Sequence, residues 1–237
     1  TLEKTALQKI SLSVQEGDFV TIIGGNGAGK STFFSVLSGD VHPSSGRMIF
    51  DGEDITRYSP ERRSSFVARV FQDPLKGTCA TLTIEENLAL ALSRGQNRTL
   101  SLALNAKNRE LFRGHMARLN LGLENRMGLP IGSLSGGQRQ AISLIMAVLA
   151  PMKLLLLDEH TAALDPRTAA FIIRLTKEIV ESSKLTTLMI THSMHQALEH
   201  GTRTVLIHQG RVARVLVGEE RAGLKPHQLM ELFEIEP

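Results

Sequence analysis

The stretch "GGNGAGKST" at residues 24–32 stands between two segments of contrasting pattern. Before it runs "FVTII", residues 19–23, a continuous apolar run of the kind buried in parallel sheets. After it, "KSTFFSVLS" reads as a helix that stops at Gly39. Strand, glycine loop and helix in that order fit the pattern G-x-x-x-x-G-K-[ST] from Gly24 to Ser31. The glycines allow backbone angles that turn several N–H groups of Gly24, Gly25, Asn26, Gly27, Ala28 and Gly29 into one concave nest. That nest, with the following helix N-terminus, suits phosphate oxygens. Lys30 supplies a mobile positive charge for β- and γ-phosphates, Ser31 a hydroxyl for Mg²⁺, and Thr32 continues the helix start. A glycine-rich turn matching by accident would not need to lie between a strand and a helix.

Working outward, three further apolar strands end on polar residues. "KLLLLDE" delivers Asp158 and Glu159 at the C-terminal end of a buried strand, the edge at which open α/β sheets bind ligands. Asp158 suits Mg²⁺ held through water, and Glu159 suits orientation or polarisation of an attacking water. "VARVFQ" ends at Gln72, whose amide is expected to reach the metal or that water, and "TTLMITH" ends at His192, a donor to a γ-phosphate. Residues 10–14, "ISLSV", alternate like a half-exposed strand, while 47–55 read as a hairpin arm. Residues 204–208 turn through "QGR" into another strand. Residues 85–120 are helical and rich in Arg and Asn. The expected fold is α/β, a nucleotide-binding core (residues 1–72 and 151–237) with a mixed sheet, interrupted by a mainly helical insert at 73–150.

"LSGGQRQAISLIMAVLA", residues 134–150, opens an apolar helix with Ser135, Gly136, Gly137 and Gln138. The serine and glutamine match a capping box. The paired glycines, poor helix formers, also leave a helix N-terminus open to close approach by phosphate. A single γ-phosphate already has a complete cradle in residues 24–32. The second anion site makes sense if it acts on nucleotide held by another copy of the chain.

Composition limits the alternatives. The 237 residues are 42% hydrophobic and 22% charged, with net charge +3, too mild to argue for nucleic acid. One cysteine, Cys79, cannot form an internal disulfide. The longest apolar stretch, 141–157, is broken by Pro151 and Lys153 and reads as helix then strand, not as a membrane span. The chain opens at Thr1 without a methionine or a signal peptide, and the natural protein is expected to start earlier.

Taken together, "GGNGAGKST", Gln72, "LSGGQ", "LLLLDE", "AALD" at 162–165 and His192 resemble the ATPase subunit of an ATP-binding cassette (ABC) transporter, in that family's order. The resemblance implies a P-loop NTPase core with an antiparallel side sheet. It implies a head-to-tail homodimer with two ATPs, each held between residues 24–32 of one chain and 135–138 of the other. Asp165 would lie in the loop crossing that interface. The helical insert, with the residues near Gln72, would dock on membrane-spanning permease subunits, which places the chain in the cytoplasm on the inner face of the membrane. His160 stands where many members have proline, and "DEHTAALDP" resembles a subgroup paired with extracytoplasmic substrate-binding lipoproteins, some assigned to aromatic amino acids. That subgroup points to uptake. The family's adenine-stacking aromatic is expected upstream of Thr1, since only Phe19 precedes Gly24 and it belongs to a strand. The rival reading is a soluble ABC ATPase of cofactor assembly or repair; a regulatory module without turnover is disfavoured by Glu159.

Overall fold

A computed structural model describes residues 5–96 and 103–235. Part of the expected helical stretch, residues 97–102, lies outside the described residues. In chain order the elements begin β1 (Phe19–Ile23), α1 (Lys30–Ser38), β2 (Ile49–Phe50), β3 (Glu53–Asp54), α2 (Pro60–Arg63) and β4 (Val67–Val70). Then come α3 (Ile84–Leu92), α4 (Ala106–Arg118), α5 (Gly136–Val148), β5 (Leu154–Asp158), α6 (Pro166–Ser183) and β6 (Thr186–Ile190). The chain continues with α7 (Met194–Glu199), β7 (Arg203–His208), β8 (Arg211–Val217), α8 (Gly218–Ala222) and α9 (Pro226–Ile235).

The six strands of the main sheet run β4-β5-β6-β1-β7-β8. All neighbours are parallel except β7 and β8, which form an antiparallel hairpin at one edge, so the sheet is mixed. The apolar runs follow from burial on both faces. Alternate residues of β5 enter different cores: Leu155 and Leu157 pack with α3, α4, α5 and α6, while Leu154 and Leu156 pack with Phe33 and Phe34 of α1. Thus α1 and α5 cover opposite faces of one sheet.

Local chemistry sets the connections. Asp51 (φ 49°) and Gly52 (φ 79°) turn β2 into β3, and Gln209 (φ 45°) and Gly210 (φ 76°) turn β7 into β8. Two residues at positive φ are what the twist of a tight hairpin demands. Thr83 with Glu86 and Ser135 with Gln138 form complete capping boxes at α3 and α5.

The expected strand at 10–14 does not form: the segment has no ladder partner among the described residues. Its alternation is nonetheless real, because Ile10, Leu12 and Val14 lean on the α1-side core. The small antiparallel sheet is confined to the β2–β3 hairpin, which has only Ile49↔Asp54 and Phe50↔Glu53.

Candidate functional site

The loop from Gly24 to Gly29 joins the buried end of β1 to α1, and its glycines are there for space and backbone angle. A Cβ on Gly24 would stand 2.3 Å from the Ile207 carbonyl oxygen, and one on Gly29 (φ +100°) 2.6 Å from that of Ala6. Gly27 has φ +78° with open space beyond it. Gly29 caps α1 with no side chain, so the first-turn amides of Lys30, Ser31 and Thr32 face outward for a ligand. Lys30 is 6% exposed and curls over the loop, donating from Nζ to the carbonyls of Gly24 (2.7 Å) and Gly25 (3.1 Å). Burial lowers its pKa, and the charges of Glu159 and Asp158 work against that lowering. This cradle of N–H groups around one cation fits a polyphosphate.

Asp158 closes β5 at the same sheet edge and is 8% exposed. Its carboxylate and the Ser31 hydroxyl are hard oxygen donors of the kind Mg²⁺ takes. Glu159 follows with φ 47°, a strained angle for a non-glycine residue. Its amide donates to the Ile190 carbonyl (3.1 Å), and its Oε1 lies 2.7 Å from Nε2 of His192. The strand pairing of Asp158 with Ile190 brings these two ends together. A cavity of about 200 Å³ opens beside them, lined by residues including Glu159, Thr161, Thr191, His192 and Gln196. Gln72 is exposed beyond the end of β4; the preceding Phe71 carbonyl accepts from Nε2 of buried Gln140 on α5 (3.2 Å). The structure therefore brings Glu159 and His192 into contact and leaves Gln72 at the same edge without such a contact.

Ser135 caps α5: the Gln138 amide donates to its Oγ (3.3 Å), and its own amide donates to Gln138 Oε1 (3.1 Å). Of the two glycines, Gly137 has a reason inside the chain, because a Cβ there would meet Thr168 Cγ2 of α6 at 2.2 Å. A Cβ on Gly136 would come no nearer than 3.8 Å to Leu164, so its face is open. Asp165 caps α6, accepting from the amides of Arg167 and Thr168 at 3.1 Å each. The hydrogen bonds of Thr168, ahead of that from Arg167, hold its carboxyl below the usual range.

Two side chains carry more than the sequence suggests. Arg69, in the buried strand β4, pairs with Asp158 at 2.6 Å. The signal was available, since a charge among buried apolar residues needs a partner. His160 is 2% exposed, with Nε2 3.1 Å from Thr176 Oγ1. Thr176 donates its own hydroxyl to Ile172 O, so the imidazole Nε2–H donates to Thr176.

Burial first, then the nearby His200, pushes the His160 pKa from 6.5 to about 4. The unfolded chain therefore binds more protons than the folded one between those values. The associated stability is present above pH 6.5 and is lost as the pH falls through that window. Between pH 7 and pH 5 the expected loss is about 2 kcal/mol, or roughly 4–8 °C in Tm. Thermal melts across this range check it: His160→Gln flattens the slope, and an equal slope in parent and variant contradicts the assignment.

With the site described, its relatives can be placed. The ABC transporter family model matches residues 7–162. The chain is 42% identical over 231 residues to the tyrosine transport ATP-binding protein of Clostridioides difficile (strain R20291), covering 97% of this chain and 91% of that one. It is 36% identical over 205 residues to the thiamine import ATP-binding protein ThiQ of Escherichia coli (strain K12), covering 86% and 83%. Among solved structures it is similar to MJ1267, an ATP-binding cassette of an ABC transporter, with TM-score 0.81, 26% identity and coverage of 98% and 94%. It is also similar to the cassette MJ0796, a dimer in a post-hydrolysis state bound to ADP and Pi, with TM-score 0.77, 27% identity and coverage of 90% of each chain. The sheet, the phosphate cradle, the Glu159–His192 pair and these likenesses agree: the chain belongs to the ABC transporter family, as an ATP-binding and ATP-hydrolysing subunit.

Proposed function

We propose that two copies of this chain clasp two ATP molecules head to tail, and that this ATP-driven dimerisation, undone by hydrolysis, is coupled to uptake of a small solute through membrane-spanning partners. The observation that carries the dimer is the placement of α1 and α5 on opposite faces of one sheet. A phosphate seated on the α1 loop of one copy is completed by the α5 N-terminus of the other. In that arrangement residues 73–150 form one unit that presents Ser135, Gly136, Gly137 and Gln138 to the partner's nucleotide, with Asp165 at the crossing.

The roles divide by chemistry. Amides of Gly25, Asn26, Gly27, Ala28, Gly29, Lys30, Ser31 and Thr32, next to Gly24, bind the phosphates, and Lys30 Nζ exchanges its loop carbonyls for phosphate oxygens. Ser31, Asp158 and Gln72 would hold Mg²⁺, which would supply charge neutralisation for the phosphates. A water oxygen attacks the γ-phosphorus, the bond from that phosphorus to the bridging oxygen breaks, and the electron pair leaves with ADP. Glu159 orients that water and takes its proton. His192, whose Nε2 contacts the Glu159 carboxylate here, turns that N–H to the γ-phosphate as the site closes.

Exposed Leu75 (42%), Leu90 (57%), Leu111 (42%) and Leu129 (40%) lie on the helical region and its approach, and suit docking to permease subunits. Among the described residues no helix is long and apolar enough to cross a membrane. We place the chain on the inner membrane face, held by those partners and fed by an extracytoplasmic substrate-binding protein. The likeness to a tyrosine transport protein supports an aromatic amino acid as cargo.

Purification of the tagged chain from its own cells in detergent tests this reading. Integral membrane subunits should co-purify, and the complex should hydrolyse ATP faster in vesicles supplied with the binding protein and its solute. Recovery instead with soluble cofactor-assembly or repair proteins, and no membrane subunit, would contradict it.

A further inference from the structure

Arg69 stands in a strand whose other residues, Val67, Ala68 and Val70, belong to the buried core. Its guanidinium is shared between two carboxylates of unequal burial. Nη2 lies 2.6 Å from Oδ2 of Asp158, whose side chain is 11% exposed. Nη1 lies 3.3 Å from Oδ2 of Asp40, which is 48% exposed, and 3.2 Å from Oγ of Ser35 on α1. The guanidinium carbon sits 4.8 Å from the Phe71 ring centre and 6.0 Å from that of Phe34, so the plane is guided between two rings. Its Nε is buried without a hydrogen-bond partner among the described residues. The guanidinium therefore bridges both carboxylates at once, each through a different nitrogen.

We propose that Arg69 competes with the divalent cation for Asp158, and that Asp40, with Ser35, is the seat to which Arg69 stays tethered when the cation arrives. This rests on the reading of Asp158 as a metal residue. A buried carboxylate without a cation is costly, and Arg69 removes that cost. A doubly charged ion beside Asp158 repels the guanidinium at close range. Retreat gives up the Asp158 pair but keeps the Asp40 pair and the Ser35 hydrogen bond already present, so the guanidinium is not left bare. The consequence is selectivity: the cation alone must displace Arg69 unaided, whereas cation bound to polyphosphate is also held through the phosphates by residues 24–32, and that added binding offsets the displacement. Arg69 is thus a positioning residue that keeps Asp158 folded and discourages binding of bare metal.

The test measures the Mg²⁺ concentration that gives half-maximal binding of a fluorescent ADP analogue, together with Mn²⁺ binding without nucleotide by electron paramagnetic resonance. Arg69→Met should lower the Mg²⁺ requirement by about tenfold and strengthen binding of Mn²⁺ alone. Asp40→Asn, which removes that seat, should raise the requirement by about threefold. An unchanged or raised requirement in Arg69→Met overturns the proposal. If Arg69→Met does not fold, the exposed Asp40→Asn decides the matter, and a requirement equal to that of the parent overturns the proposal. Failure of the ATPase reading looks different: the unaltered chain would then bind no ADP analogue at any Mg²⁺ concentration.

Discussion

Glu159→Gln should bind ATP as the parent does and hydrolyse it about 10²- to 10⁴-fold more slowly. The amide keeps the size of the carboxylate and a partner for His192, which lies 2.7 Å from Oε1, but it cannot take a proton from water. The backbone at this position is already at φ 47°, and glutamine asks nothing new of it. In the proposed site ATP binding rests on the loop and helix around Lys30, which the substitution does not touch. If, as proposed, release of the clasp requires hydrolysis, light scattering with Mg-ATP should find this variant as a stable dimer. A variant hydrolysing at a tenth of the parent rate or faster would remove Glu159 from the role of base.

The elements that position this carboxylate were largely legible in the sequence, because their causes are local. Runs such as "FVTII" and "LLLL" are apolar throughout since both faces of β1 and β5 are covered. "DG" and "QG" turn hairpins since those pairs tolerate positive φ. What escaped depends on contacts between distant segments. Residues 10–14 have the alternation of a strand, but a strand needs a neighbour, and the pattern of one segment cannot supply it. Gly137 looked like an opening for phosphate, yet its lost Cβ first makes room for Thr168. The role of Asp165 as the cap of α6 likewise depends on where the helix begins, and it leaves open the interface position the resemblance implies. The partner of Arg69 became visible only when β4 and β5 lay side by side.

Lys30→Ala should weaken ATP binding by about tenfold to a hundredfold, since a buried charge-assisted contact to phosphate is lost. Fold should survive, because the packing of α1 rests on Phe33 and Phe34, and a melting curve near that of the parent checks this. Ser135→Arg should be comparably inactive for a different reason. Its P-loop is sound, but a long cation now stands at the α5 N-terminus where the partner's nucleotide must close. In the proposed head-to-tail dimer, each variant alone would have one broken half in every site.

The most direct measurement mixes the two variants and follows ATP-driven dimerisation by light scattering across all ratios. In a mixed dimer one site carries both broken halves and the other carries both intact halves. Acting across the interface, residues 135–138 should restore a dimer signal that peaks near equal proportions and falls to baseline at either end. If those residues served the ATP of their own chain, every site in every mixture would remain broken. A signal flat at baseline across all ratios would contradict the account.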